Sequence, residues 1–220
     1  MATLVDLSHP LVSGQHTYPW LPAPEVTEFL SRDASRARYA AGTEFAIHQV
    51  LLIGNSGTYI DSPFHRFADG VDLADLPLER MADLPGTRID VSVGPERTIE
   101  PSLLAGHDAT LIGGAVLFQT GWDNKWRTAA YPTGAPFITR ATAQALVDCG
   151  VWLVGIDALN ADDTDDPARP AHSLLLDAGI PIVENLSGLD RLPATGFRFF
   201  AVPAPVQGCG SFPVRAFAIV

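Results

Sequence analysis

Seven apolar or β-branched runs, each bounded by Gly, Pro or Asp, constrain the fold more than any other feature: residues 45–53, 89–93, 110–120, 151–156, 180–183, 197–202 and 214–220. Runs of this length and composition read as strands, and seven of them imply a substantial sheet. Between them, Thr139 is placed to cap a helix running through Cys149, with Gly150 as the residue beyond its end. A second helix is expected over 171–178, ended by Gly179, and a short third over 78–84. The order strand, helix, strand, short helix, strand from Leu111 to Val183 is that of an α/β unit, whereas the N-terminal half is mostly strand and loop. The class is mixed α/β. The 18 prolines and 19 glycines are spread along the whole chain and form no linker, so one domain over residues 1–220 is expected.

Composition narrows the partners. With 47% apolar and 18% charged residues the chain has material for a core and too little charge for disorder. A net charge of −11 repels a phosphate backbone, which argues against nucleic-acid and anionic-membrane partners. The longest apolar runs fall short of the roughly 20 residues that cross a bilayer, and Asp6 interrupts any signal-like start, so a soluble, cytoplasmic protein is expected. Cys149 and Cys209 fit neither a disulfide framework nor a thiolate zinc site.

The chemistry concentrates in Asn55-Ser-Gly57-Thr58-Tyr59-Ile-Asp61-Ser-Pro63-Phe-His65, read as an irregular turn following a buried strand. Asn55, Tyr59, Asp61 and His65 can converge on one side of it. A carboxylate and an imidazole four apart form either a metal site or an acid–base pair, and equally often a structural hydrogen bond. A second cluster is His172, opening the 171–178 helix, with Glu184 and Asn185 after the 180–183 strand, where a carboxylate is placed for a crevice. The plainer alternatives are a His172 bonded to an acid of the run 162–166 and a Glu184 on the surface. Segment 18–25, with Tyr18 and Trp20 among three prolines, reads as a surface loop or lid whose aromatics either staple it to the core or contact a substrate.

These residues resemble the signature His-x-Gly-Thr-His-x-Asp-x-Pro-x-His of the cyclase family that includes bacterial kynurenine formamidases, isatin hydrolases and certain polyketide cyclases. Gly57, Thr58, Asp61, Pro63 and His65 match it, and further matches run in order through Asp6-Leu-Ser, Gly155-Ile-Asp157, Ala171-His172, Val183-Glu184-Asn185-Leu186 and Pro213-Val214-Arg215-Ala216. The resemblance implies a swivelling β/β/α architecture, metal-dependent amide hydrolysis and a homodimer. It assigns Asp61, His172 and Glu184 to a metal, His65 to general acid–base work, and Trp20, with Tyr18 beside it, to the substrate. The chain departs from the family at Asn55 and Tyr59, which stand where two histidines hold a first zinc or manganese. An amide and a neutral phenol are poor zinc ligands, so at most one divalent ion is expected, with an empty site as the alternative.

Three functions follow: hydrolysis of a small aryl amide, formamide or lactam; metal-independent ring closure or dehydration with Tyr59, His65 and Asn55 handling a proton; or ligand binding without turnover. His9, His16, His48 and His107 match no ligand position, and Cys209 has no neighbouring base. The acidic run 157–166 lacks an EF-hand pattern and reads as a solvated connector, and Trp122, Trp126 and Tyr131 as an aromatic edge packed on the sheet.

Overall fold

The computed structural model describes residues 2–94 and 96–220. Its strands are β1 (Leu4–Asp6), β2 (Glu25–Leu30), β3 (Ile47–Leu51), β4 (Tyr59–Asp61), β5 (Leu84–Asp90), β6 (Thr98–Ile99), β7 (Ala115–Gln119), β8 (Phe137–Ile138), β9 (Leu153–Ile156), β10 (Ile182–Glu184), β11 (Thr195–Phe200), β12 (Ser211–Pro213) and β13 (Phe217–Ile219). The helices are α1 (Arg32–Arg36), α2 (Asp108–Leu111), α3 (Arg140–Asp148) and α4 (Pro170–Asp177). Nine strands form one mixed sheet in the order β1-β13-β11-β5-β7-β9-β10-β4-β12. Its centre, β5 through β10, is parallel, and the flanking pairs are antiparallel.

Period-two alternation divides the core. Val116 and Phe118 of β7, Val154 of β9 and Ile182 of β10 pack with Ala143 and Leu146 of α3 and Leu175 and Leu176 of α4. Ala115 and Leu117, Leu153 and Val183 face the other way, onto Ile60, Phe197, Phe199 and Ala218. Both faces of the central strands are covered, so their sequences read as unbroken apolar runs. Thr139 caps α3 by accepting from Thr142 N at 3.2 Å, and Gly150 follows with φ 70°, as the sequence implies.

Several expectations need correction. The signature segment is not all turn: Tyr59–Asp61 is a buried strand, held between β10 and β12. The strand before it is not buried, because β3 pairs only with β2 and every residue of it is exposed. The expected helix over 78–84 is a short turn at Leu78–Arg80, and Leu84 already belongs to β5, so the strand expected at 89–93 starts earlier and ends at Asp90. Residues Asp108–Leu111 form α2, and the strand expected from 110 begins at Ala115. The acidic run is a solvated connector only towards its end, where Asp165 is exposed, since Asp157 and Asp162 are both buried. The edge strand β12 has no sequence signal of its own, because Gly208, Cys209 and Gly210 precede it and Pro213 ends it.

Candidate active site

Strand register assembles the site. Asp61 of β4 lies opposite Ile182 of β10 on one side and Ser211 of β12 on the other, and Tyr59 lies opposite Glu184 and Pro213. Directly paired residues share a face, so Tyr59, Asp61, Glu184 and Ser211 emerge together on the side of Ile182, which α4 covers. His172 enters from the first turn of α4, and His65 from the turn Pro63–His65 that follows β4. Gly210 lets that turn sit close: a Cβ there would lie 2.5 Å from the His65 backbone nitrogen.

Asp162 fixes His172. Its Oδ1 accepts from Ala171 N at 2.6 Å and its Oδ2 from His172 N at 3.0 Å, so one carboxylate caps α4. The same Oδ2 meets His172 Nδ1 at 2.7 Å. The ring's Nε2 therefore faces Glu184 Oε1 at 3.4 Å and Asp61 Oδ2 at 3.6 Å, and Asp61 Oδ2 is buried without a hydrogen-bond partner. Burial opposes the His172 charge, but Asp162, Asp61 and Glu184 outweigh it and raise its pKa to about 10. Asp162 is held below its ordinary value: burial raises it, and the bonds to His172 reverse that. His172 is thus bonded to an acid of the 162–166 run, as the plainer alternative has it, and its other ring nitrogen faces the carboxylates of Glu184 and Asp61.

Glu184 is fully buried, so it is neither a surface acid nor a rim group. Burial pushes its carboxyl up to about 7, against the opposing effect of His172. Its Oε1 accepts from Ala161 N at 2.6 Å, and its Oε2 contacts the Tyr59 hydroxyl. The Tyr59 hydroxyl in turn lies 2.5 Å from that of Tyr18, which is 2.6 Å from Leu159 O. The Tyr59 O–H donates to Glu184 Oε2, and the Tyr18 O–H donates to Leu159 O and also lies 3.3 Å from Glu184 Oε2. Burial raises both phenols well above their ordinary pKa, so neither serves as a base near neutrality.

Ser211, which sequence reasoning missed, links the remaining pair. Its Oγ contacts Asp61 Oδ1 and lies 2.8 Å from His65 Nδ1, while His65 and Asp61 themselves stay 3.7 Å apart. An ionised carboxylate only accepts, so the single serine proton goes to Asp61 and the serine oxygen accepts from His65 Nδ1–H. The lone pair of His65 is left on Nε2, as in any imidazole whose other nitrogen is held by an acceptor. Asn55 Nδ2 reaches Asp61 Oδ1 at 3.4 Å.

A cleft of about 290 Å³ opens over this cluster, lined by Tyr18, Trp20, Leu21, Asn55, Tyr59, His65, Arg66, Asn160, Arg169 and His172. Tyr18, not Trp20, staples the N-terminal loop to the core, and Trp20 stays 62% exposed on the rim. Trp122, Trp126 and Tyr131 pack around Tyr18, Tyr59 and Leu159 behind the site, with the Tyr131 hydroxyl on Asn185 Oδ1 at 2.6 Å. The cleft thus gathers every candidate residue or its immediate partner. Arg66, Asn160, Arg169 and Ser211 are not singled out by the sequence, and Asp162 only as one acid of the 162–166 run. Only Asp162 left a signal, as an acid shortly before a proline-started helix.

Among the described residues, Asp61, His65 and His172 form a group whose ligand atoms all lie within 4.8 Å of one another. The unpartnered Asp61 Oδ2, facing an imidazole nitrogen locked from behind by Asp162, fits one divalent cation. A second cation does not fit. Tyr59 is committed to Glu184 and Tyr18, and Asn55 turns its N–H toward Asp61.

A family model described as "Putative cyclase" matches residues 5–163. The kynurenine formamidase of Salinibacter ruber is 35% identical over 225 residues, covering 97% of this chain and 95% of the relative. That of Bacillus cytotoxicus is 30% identical, covering 96% and 95%. Isatin hydrolase A from Labrenzia aggregata, solved with benzyl benzoate, superposes with a TM-score of 0.83 at 23% identity, covering 100% of this chain and 94% of that one. Family model and full-length relatives agree, and the chain belongs to the cyclase family.

Proposed function

We propose that this cyclase-family amide hydrolase uses water to cleave a small aryl amide, formamide or lactam. The carrying observation is the chain of contacts Asp61–Ser211–His65, which leaves an imidazole lone pair at a cleft rimmed by an exposed tryptophan. Relatives named kynurenine formamidase and neighbours named isatin hydrolase support the class. His65 Nε2 takes a proton from water as the water oxygen bonds to the scissile carbon. The same nitrogen then delivers that proton to the leaving amide nitrogen as the C–N bond breaks. Trp20 and Leu21 give the aryl ring an apolar face, and Asn55 at the floor orients the carbonyl.

Asp61 and His172, with Glu184 and His65 within reach, would hold one divalent ion, and an imidazole–carboxylate set suits zinc or manganese. When bound, such an ion supplies Lewis acidity toward a carbonyl oxygen and toward water. A second reading, metal-independent ring closure or dehydration, draws support from Tyr59 filling the site and bonding Glu184.

One experiment separates them: the purified protein is offered N-formyl anilines, isatin and cyclic imides before and after chelation, with metal content measured in parallel. Hydrolysis that is lost on chelation and restored by zinc or manganese, with at most one ion per chain, is expected. Asn55→His combined with Tyr59→His then raises the content toward two. No turnover across the panel overturns the hydrolase reading, full activity after chelation favours the second, and two ions in the wild type overturn the single-ion site.

We also propose a homodimer. Its apolar surface lies less in segment 18–24 than in the β2–β3 hairpin, where Val26, Phe29, Ile47, Val50 and Leu51 are all exposed. Light scattering at micromolar concentration is expected to give twice the chain mass, and a monomer would refute it. No helix among the described residues is long and apolar enough to cross a membrane.

A further inference from the structure

We infer that Tyr59, one of the two departures from the signature, is a positioning residue: its hydroxyl fixes that of Tyr18, and through Tyr18 it seats the wall of the cleft that receives the aryl ring. The inference deepens the hydrolase reading of the same cleft, and its kinetic half rests on that reading.

Segment 16–21 forms that wall, with Tyr18, Trp20 and Leu21 lining the cleft. Bonds within the segment make it one piece: Leu21 N donates to Tyr18 O at 3.1 Å, and His16 Nδ1 lies 2.7 Å from Leu21 O. The Trp20 ring packs on that of Tyr18, with centroids 5.3 Å apart. Internal bonds fix the shape of a loop and not where it sits. Among the described residues, two hydrogen-bonded ties place this one: Gly57 N donates to Thr17 Oγ1 at 2.6 Å, and the Tyr18 side chain runs inward to Tyr59, Leu159 and Glu184. From Ser8 to Ala23, all of them described, Tyr18 alone is buried. The seat of the loop is therefore decided largely at the end of one side chain.

Three oxygens surround that end: the Tyr59 hydroxyl at 2.5 Å, Leu159 O at 2.6 Å and Glu184 Oε2 at 3.3 Å. Tyr59 is the nearest of them and the most firmly mounted, since β4 is paired on both sides and the Tyr59 hydroxyl also bonds Glu184. A phenol carries its oxygen farther from the backbone than an imidazole carries its nitrogen, and that reach brings Tyr59 across the site to the loop. The acceptors are a backbone carbonyl and a carboxylate, so both phenol protons point at protein atoms and neither is free for a substrate. The rings pack in one buried cluster with Tyr131 and Leu159, which holds the contact in place behind the cleft. What Tyr59 supplies to the site is thus the placement of Tyr18, and with it that of Trp20 and Leu21.

The test uses Tyr59→Phe, Tyr18→Phe and their double variant, each of which keeps the ring and removes only oxygen, with melting temperatures recorded for all. Amide hydrogen exchange reads the loop without any substrate, through the Leu21 amide bonded inside it and the Gly57 amide bonded to Thr17. Both single variants are expected to speed exchange at these two amides by roughly 3- to 10-fold, the weight of one hydrogen bond, while the amides of β7 keep their wild-type rates. The double variant exchanges no faster than the faster single one, because the two hydroxyls act as one contact. With formanilide as substrate, KM rises by a similar factor in both single variants and by more than kcat falls. Thr17→Val, which cuts the other tie and touches neither phenol, raises KM in the same way. Unchanged exchange in Tyr59→Phe overturns the inference. So does a collapse of kcat in Tyr59→Phe that Tyr18→Phe does not share, which would make Tyr59 a proton carrier. If formanilide and the rest of the amide panel are not hydrolysed, the function in the preceding section fails, while the exchange rates still decide whether Tyr59 seats the loop.

Discussion

His65→Ala lowers turnover by roughly 10²–10⁴-fold, the usual contribution of a positioned acid–base group, with the fold intact because the ring sits at the cleft surface. The companion Ser211→Ala loses less, because the imidazole remains and only its Nδ1 acceptor is gone. In that variant the proton is free to move to Nε2, so kcat falls more than KM changes, and Ser211→Thr, which restores a hydroxyl, recovers most of the loss. Steady-state kinetics on the three variants, with nitrogen chemical shifts of the His65 ring reporting its tautomer, provide the check. Wild-type turnover in His65→Ala would remove it from the mechanism, and an unchanged tautomer in Ser211→Ala would remove the serine's role.

In chelator, His172→Leu costs about 3–5 kcal/mol of stability, the range seen when one partner of a buried ion cluster is removed. Asp61 and Asp162 are then buried with no cation between them. The pH dependence follows from the raised imidazole. With a folded pKa of about 10, above its ordinary 6.5, the contribution of His172 is complete below about pH 6.5 and is lost as pH rises through 10. Denaturant titrations of wild type and variant should therefore differ most near pH 6 and converge by pH 10. A gap that is constant with pH would mean that His172 is neutral in the folded protein. The same charge competes with a divalent cation for Nε2, so metal affinity rises with pH and binding releases protons.

Much of this architecture is legible in the sequence because buried strands are apolar on both faces and helix ends carry their own signals. The 151–156, 180–183 and 197–202 runs lie over β9, β10 and β11, and Thr139 and Gly150 bracket α3. The strand β4 is not legible, because Tyr59-Ile60-Asp61 alternates polar and apolar residues for the sake of the site and resembles a turn. The 45–53 run does hold β3, but its apolar residues face outward where the pattern implies burial, and its partner β2, Glu25–Leu30, has no apolar run that announces it. Within the site, the signature segment and the Glu184 strand end locate Asp61, His65, His172 and Glu184, but pairwise register decides who touches whom. Ser211 lies 150 positions from Asp61 and is its direct cross-strand neighbour. No local pattern in the Gly-Cys-Gly-Ser stretch announces that pairing.

The strand that holds Ser211 has a consequence of its own. It is three residues long, it bonds to a neighbour on one side only, and it forms the outermost edge of the nine-stranded sheet. Strands so placed open in local fluctuations well below the free energy of global unfolding. The serine that sets the imidazole's proton is thus mounted on one of the two short edge strands of the sheet, and it is expected to leave before the core does. Warming or mild denaturant silences the enzyme while its circular dichroism is still that of the folded protein, and a bound aryl substrate that bridges the cleft from Trp20 to His65 postpones the loss.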